Sequence, residues 1–176
     1  GIDPAWPLPR AFAVSGVAVI GEIEFAWRLQ DKPVVAITGT NGKSTTTELV
    51  ARLLTAGGFR TLPAGNHGRA FSDVVWAGDA IDVHTLEVSS FQLETIQSFR
   101  PRVGLWMNFA PDHLDRHPSL EAYFEAKAML VGHLTFGHLH VDDERHLAGH
   151  RVLPVSQRHP PLVLPALLHA FTTTVT

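Results

Sequence analysis

Val34-Val35-Ala36-Ile37-Thr38-Gly39-Thr40-Asn41-Gly42-Lys43-Ser44-Thr45 is the stretch from which the rest of the chain is read. Residues 34–37 are apolar throughout, as in a strand buried on both faces. A loop with Gly39 and Gly42 follows. A helical pattern then begins, in which Leu49, Val50, Leu53 and Leu54 share a face until Gly57-Gly58 stops it. Strand, glycine loop and helix make the setting of a phosphate-binding loop. The glycines let backbone N–H groups turn towards an anion, the helix N-terminus adds a favourable dipole, Lys43 reaches terminal phosphates and Ser44 can ligate magnesium. The usual first glycine, five residues before Gly42, is Ile37, so the loop is a variant of the general pattern.

Outward from this unit the alternation continues. Apolar or β-branched runs recur at 81–88, 103–107, 139–141 and 152–155, with helical patterns at 69–76, 90–99 and 120–131 between them. Ser119 is placed to cap the last helix and Glu121 sits in its first turn. Strands alternating with helices predict an α/β fold, a mostly parallel sheet flanked by helices, with ligands gathering at the carboxyl ends of the strands. Upstream, a segment rich in Pro4, Pro7 and Pro9 leads to an apolar run of strand length at 17–20 and a helix at 22–29.

Strand ends therefore carry the candidate chemistry. Glu87 ends the run at 81–86; by itself it reads more readily as an exposed strand-end acid, but with the phosphate loop upstream it is a candidate to hold magnesium opposite that loop. After the next strand come Asn108 and the cluster Asp112-His113-Leu114-Asp115-Arg116. Those residues suit either a second metal or a solvated turn.

Composition narrows the partners. Among 176 residues, 18% are charged and the formal net charge is −3, so no basic field gathers nucleic acid. Cysteine is absent, which removes disulfides, thiolate metal sites and cysteine nucleophiles together. No apolar run approaches the roughly 18 residues of a membrane helix, and a cytoplasmic protein is expected. The end of the chain differs in character: His133, His138, His140, His146, His150, His159 and His169 accumulate there, with Pro160, Pro161 and Pro165 interrupting regular structure.

Taken in order, the loop from Thr38 to Thr45, Gly65-Asn66, Glu87-Val88-Ser89-Ser90-Phe91-Gln92-Leu93-Glu94, and Asn108 with the Asp112 to Arg116 cluster resemble the central ATPase domain of the Mur ligases. The match is specific over about residues 15 to 131. The run Ser89-Ser90-Phe91-Gln92-Leu93-Glu94 is similar to the D-glutamate-adding branch. The resemblance assigns Gly39, Thr40, Asn41, Gly42, Lys43, Ser44 and Thr45 to the ATP phosphates, with Ser44 and Glu87 on one Mg2+ ion and His113 on a second. It puts Asn66, Ser89 and Gln92 beside the acceptor substrate. It also makes Lys127 a lysine carbamylated by carbon dioxide, whose anion serves the second ion. The implied reaction is ATP-dependent amide formation through an acyl phosphate, joining D-glutamate to a UDP-linked muramoyl-alanine, in an enzyme that is monomeric when complete.

On the same resemblance, residues 1–30 correspond to the end of an amino-terminal UDP-substrate domain and residues 31–156 to an incomplete ATP-binding domain. Residues 157–176 match nothing, and the carboxyl-terminal ligase domain is absent. The segment Leu139-His140-Val141-Asp142-Asp143 loosely follows the family's Asn-x-Asp-Asp strand end, and no Gly-Glu-x-Asn follows Ser156. The chain alone is accordingly expected to bind Mg-ATP weakly and not to ligate. Two alternatives stand beside this reading. One is a folylpolyglutamate synthase-like ligase, which shares the Gly-Thr-Asn-Gly-Lys loop but not the run after Glu87. The other is a non-catalytic nucleotide-binding remnant.

Overall fold

A computed structural model of the protein describes residues 6–133. Two helices, α1 (Pro7–Val14) and α2 (Glu22–Trp27), precede an alternating series: β1 (Val34–Thr38), α3 (Lys43–Ala56), β2 (Pro63–Gly65), α4 (Phe71–Trp76), β3 (His84–Glu87), α5 (Ser90–Leu93), β4 (Val103–Trp106) and α6 (Leu120–Gly132). The four strands form one sheet in the order β2-β3-β1-β4, and every pairing is parallel. The expected α/β architecture is therefore present.

Its layers follow from residue alternation in β1. All five residues of the strand are buried. Val34 and Ala36 face a core built with Ile23, Ala26, Phe71, Leu86 and Leu93. Val35 and Ile37 face the other side, against Val50 and Leu54 of α3. Side chains that alternate across a strand but are apolar at every position require a cover on each face. On α3 the buried set is Thr47, Val50, Ala51 and Leu54. This i, i+3, i+4, i+7 stripe leaves Leu49, expected on the apolar face, half exposed. Trp106, Phe109, Tyr123 and Phe124 build a third, aromatic cluster under α6.

Several elements differ from expectation. The 81–88 run is a strand only at His84–Glu87, and the 69–76 helix begins at Phe71, because Arg69 is drawn into a parallel bridge with Ala64. The expected helix at 90–99 stops at Leu93. Beyond it the backbone N–H groups of Gln97, Ser98 and Phe99 turn to the carboxylate of Glu24 on α2, which competes successfully with helix hydrogen bonds. Residues 17–20 are in no strand, and Val17 and Val19 lie exposed. Two elements went unforeseen. Helix α1 tolerates its prolines because the first turn needs no N–H donors. Strand β2, Pro-Ala-Gly, has no strand propensity and is held by its pairing to β3. The strands expected at 139–141 and 152–155, the paired His138 and His140, and the Asn-x-Asp-Asp-like segment fall outside the described residues.

Candidate active site

The carboxyl ends of β1, β2, β3 and β4 open on one side of the sheet, and the sequence candidates meet there. At Gly42 the backbone is left-handed, with φ +78°, immediately before Lys43 opens α3. This turn aims the first N–H groups of the helix outward, where no intrahelical acceptor exists for them. Lys43 Nζ folds back to the carbonyl of Thr40 at 2.9 Å.

At the end of the adjacent strand β3, Glu87 is 2% exposed and holds two side chains. Its Oε2 accepts from the Ser44 hydroxyl at 2.7 Å, and its Oε1 accepts from the Asn66 side-chain amide at 2.7 Å. Gly65 makes the second contact geometrically possible. At φ +95° it passes so close to the Glu87 carbonyl that any side chain would collide, and this delivers Asn66 alongside β3. Ser44, Asn66 and Glu87 thus form one connected group drawn from three elements.

Asn108, at the end of β4, clamps the loop itself. Its Oδ1 accepts from the N–H groups of Thr40 and Asn41 at 3.0 and 2.9 Å, and its amide donates to the Asn41 carbonyl at 3.0 Å. Thr40 is further held through its hydroxyl, which accepts from the Ala110 N–H and lies 3.2 Å from the Tyr123 hydroxyl. Sequence reasoning singled out Asn108 but gave neither it nor Tyr123 a role. The available signal for Tyr123 was modest: it is the chain's one tyrosine, and it falls four residues before Lys127 on the same helix face.

Lys127 is not a solvated helix lysine. It is 2% exposed, donates to the carbonyl of Gly39 at 2.8 Å, and lies 4.7 Å from the centre of the Tyr123 ring. Burial, reinforced by the nearby Lys43 cation, pulls its ammonium down to about 7 against the opposing pull of Asp112 and Glu87. His113, whose ring centre lies 6.0 Å from that of Tyr123, is left-handed at φ +54° and 44% exposed, its Nε2 3.6 Å from Asp112. Ser89 and Gln92 bind each other. The Ser89 hydroxyl caps α5 by accepting from the Gln92 N–H, while the Gln92 side chain accepts from the Ser89 N–H in a capping box. Among the described residues no group of three or more His, Asp or Glu side chains is arranged around a common metal position. The available donors are instead the mixed pair of Ser44 hydroxyl and Glu87 carboxylate.

The Mur ligase middle-domain model matches residues 37–152. The chain belongs to this family. Its Mur ligase relatives include proteins named UDP-N-acetylmuramoylalanine–D-glutamate ligase. That of Trichlorobacter lovleyi is 46% identical over 147 residues, 82% of this chain and 33% of that protein. That of Desulfotalea psychrophila is 52% identical over 116 residues, covering 66% and 25%. The chain thus spans about a third or less of the length of these relatives. Two solved Mur ligases share the fold. The UDP-N-acetylmuramoyl-L-alanyl-D-glutamate–2,6-diaminopimelate ligase superposes with a TM-score of 0.51 at 24% identity, over 74% of this chain and 28% of that one. MurF from Acinetobacter baumannii gives 0.51 at 18% identity, over 69% and 29%.

Proposed function

We propose that this chain is the nucleotide-binding part of an ATP-dependent ligase that joins D-glutamate to UDP-N-acetylmuramoyl-L-alanine through an acyl phosphate. The observation that carries the chemistry is the Ser44–Glu87 pair at the mouth of the phosphate loop, 2.7 Å apart between the first turn of α3 and the end of β3. The names of the relatives carry the substrates.

Hydroxyl and carboxylate oxygens are the hard donors that magnesium takes, so the pair fits that ion. Bound there, magnesium would neutralise charge on the transferring phosphoryl group. The chain's own groups do the rest. Gly42 and the first turn of α3 offer N–H donors to the phosphates, and Lys43 swings from Thr40 to the terminal phosphate. The acceptor carboxylate attacks the γ-phosphorus and ADP departs; the D-glutamate amine then attacks the acyl carbon, releasing phosphate and losing a proton. Asn66, Ser89 and Gln92 are read as lining the acceptor, at the strand ends flanking Glu87. His113 and Lys127, both against Tyr123, are read as the second cation's side of the site. A Lys127 amine brought down to about 7 is substantially neutral at cellular pH. It can attack carbon dioxide, form an N–C bond, release a proton and become a carbamate anion. The other two domains belong to the parent protein on this reading, with residues 31–156 its ATP-binding core, and the supply of ATP sets the reaction in the cytoplasm.

The test uses the complete protein. Wild type should release phosphate only when ATP, UDP-N-acetylmuramoyl-L-alanine and D-glutamate are all present, and Lys43→Ala should lose at least about 100-fold in turnover while remaining folded. Turnover with a folate acceptor in place of the nucleotide sugar would reassign the substrate. Undiminished ligation by folded Lys43→Ala would remove the loop from the mechanism.

A further inference from the structure

A second polar group lies behind the acceptor side of the site and is used by none of the steps above. His117 is 2% exposed, with its Nε2 2.9 Å from the Ser90 hydroxyl and its Nδ1 3.3 Å from Glu94 Oε1. Hydroxyl, imidazole and carboxylate in that order resemble a nucleophilic triad. Burial argues against such chemistry. Ser90 is also 2% exposed, and the imidazole is stacked on Phe91 at 5.2 Å and tilted against Tyr123 at 5.1 Å, so the hydroxyl has no open approach.

What the group can do is hold things at fixed spacing. Ser90 and Glu94 are the first residue and the C-cap of α5, so one imidazole touches both ends of that single helical turn. Between them lies Gln92, locked to Ser89 in the capping box. In the other direction, the His117 N–H donates to the His113 carbonyl at 2.9 Å, and the Arg116 N–H donates to the same oxygen at 3.0 Å. These two bonds close the turn in which His113 holds its left-handed backbone, a conformation uncommon for a residue with a side chain. Arg116 completes the join through its 2.9 Å pair with Glu94.

We propose that His117 is a positioning residue, a clamp that fixes the distance between His113 and the Ser89–Gln92 pair and thereby registers the acceptor nucleotide-sugar against the cation side of the site. The role for the acceptor rests on the function proposed above; the clamp itself does not. Of the tautomers, the one with a proton on Nδ1 serves both partners, donating towards Glu94 and accepting from Ser90.

Two measurements separate these parts. In imidazole and side-chain amide NMR spectra of the 176-residue chain, His117 should occupy the Nδ1–H tautomer, and Ser90→Ala should shift both the His113 ring and the Gln92 amide while leaving β1 unmoved. Should Ser90→Ala not fold, Glu94→Gln perturbs the other nitrogen and should shift the same two signals. Unmoved His113 and Gln92 signals in a folded variant would overturn the clamp. In the complete ligase, His117→Leu should raise KM for the acceptor about tenfold with KM for ATP within twofold, and His117→Gln, which can still donate to Glu94, should recover most of the loss. Equal effects on both substrates, or a glutamine as poor as leucine, would reduce His117 to a packing residue. A wild-type enzyme that does not ligate would overturn the proposed reaction while leaving the NMR result to decide the clamp.

Discussion

Two residues that touch the phosphate loop in space, but lie far from it in sequence, govern it: Asn108 and Lys127. Asn108 spends its side chain entirely on Thr40 and Asn41. Asn108→Ala therefore returns the loop to a broader ensemble and should weaken ATP binding roughly tenfold or more by calorimetry, since net hydrogen bonds of about 1 kcal/mol each are lost from the binding-competent form. Global stability should fall much less than affinity, because the Asn108 side chain is only part-buried. Lys127 makes a prediction about pH. Its folded value of about 7 lies below the unfolded lysine value of about 10.4, so between them the unfolded chain holds a proton that the folded chain does not. Stability contributed by this position therefore rises as pH climbs from about 7 to about 10. In Lys127→Met the slope should be missing, and urea titrations at pH 7.5 and 9.5 that differ equally in wild type and variant would count against a buried, depressed lysine.

At the scale of elements, α2 is tied to the loop after α5 by the Glu24 carboxylate, with Arg28 adding a bond to Gln97. Glu24 is fully buried and accepts from the N–H groups of Gln97, Ser98 and Phe99, the Ser98 hydroxyl and the Arg28 guanidinium. Burial alone would push its carboxyl up, but the bonds from Ser98, Gln97 and Arg28 outweigh that and hold it at about 2. Glu24→Gln removes the charge and faces an amide donor to other donors, so it should cost about 2–4 kcal/mol in urea unfolding. The stability Glu24 supplies is complete above the unfolded carboxylate value of about 4.3 and is lost as pH falls towards about 2. This knot also explains part of what could be read in advance. The β1–α3 unit was legible because apolar run, glycines and helical stripe all agree locally. Lys43, Ser44 and Glu87 were legible because they sit at strand ends, where a parallel sheet gathers ligands. The short α5 and strand β2 were not, since Glu24 and the β3 ladder, both remote in sequence, decide them. The burial of Lys127 was likewise not legible from its local pattern, since it depends on α6 packing the face shared by Tyr123, Ala126 and Leu130 against the rest of the fold.

For the whole molecule, buried histidines add to the proton balance. His84, packed edge-on to Phe71, and His117 are both held below their ordinary value, chiefly by burial. Folding is thus disfavoured by protons wherever the unfolded histidines take them up, below about pH 6.5. The urea midpoint should fall between pH 7 and pH 5.5, and His84→Leu should flatten that fall; a midpoint indifferent to pH in this window would contradict the buried neutral state of His84. A further consequence lies in the bond between Lys127 and Gly39, which joins groups 88 residues apart. A ribosome adding about 5–20 residues per second makes the phosphate loop first and the lysine that seals it roughly 4–18 s later. Through that interval the emerging chain carries the full nucleotide-binding signature without the pieces that shape it. On the proposed function, the ATP site has all of its shaping contacts only once α6 has been made, after the first strand and helix.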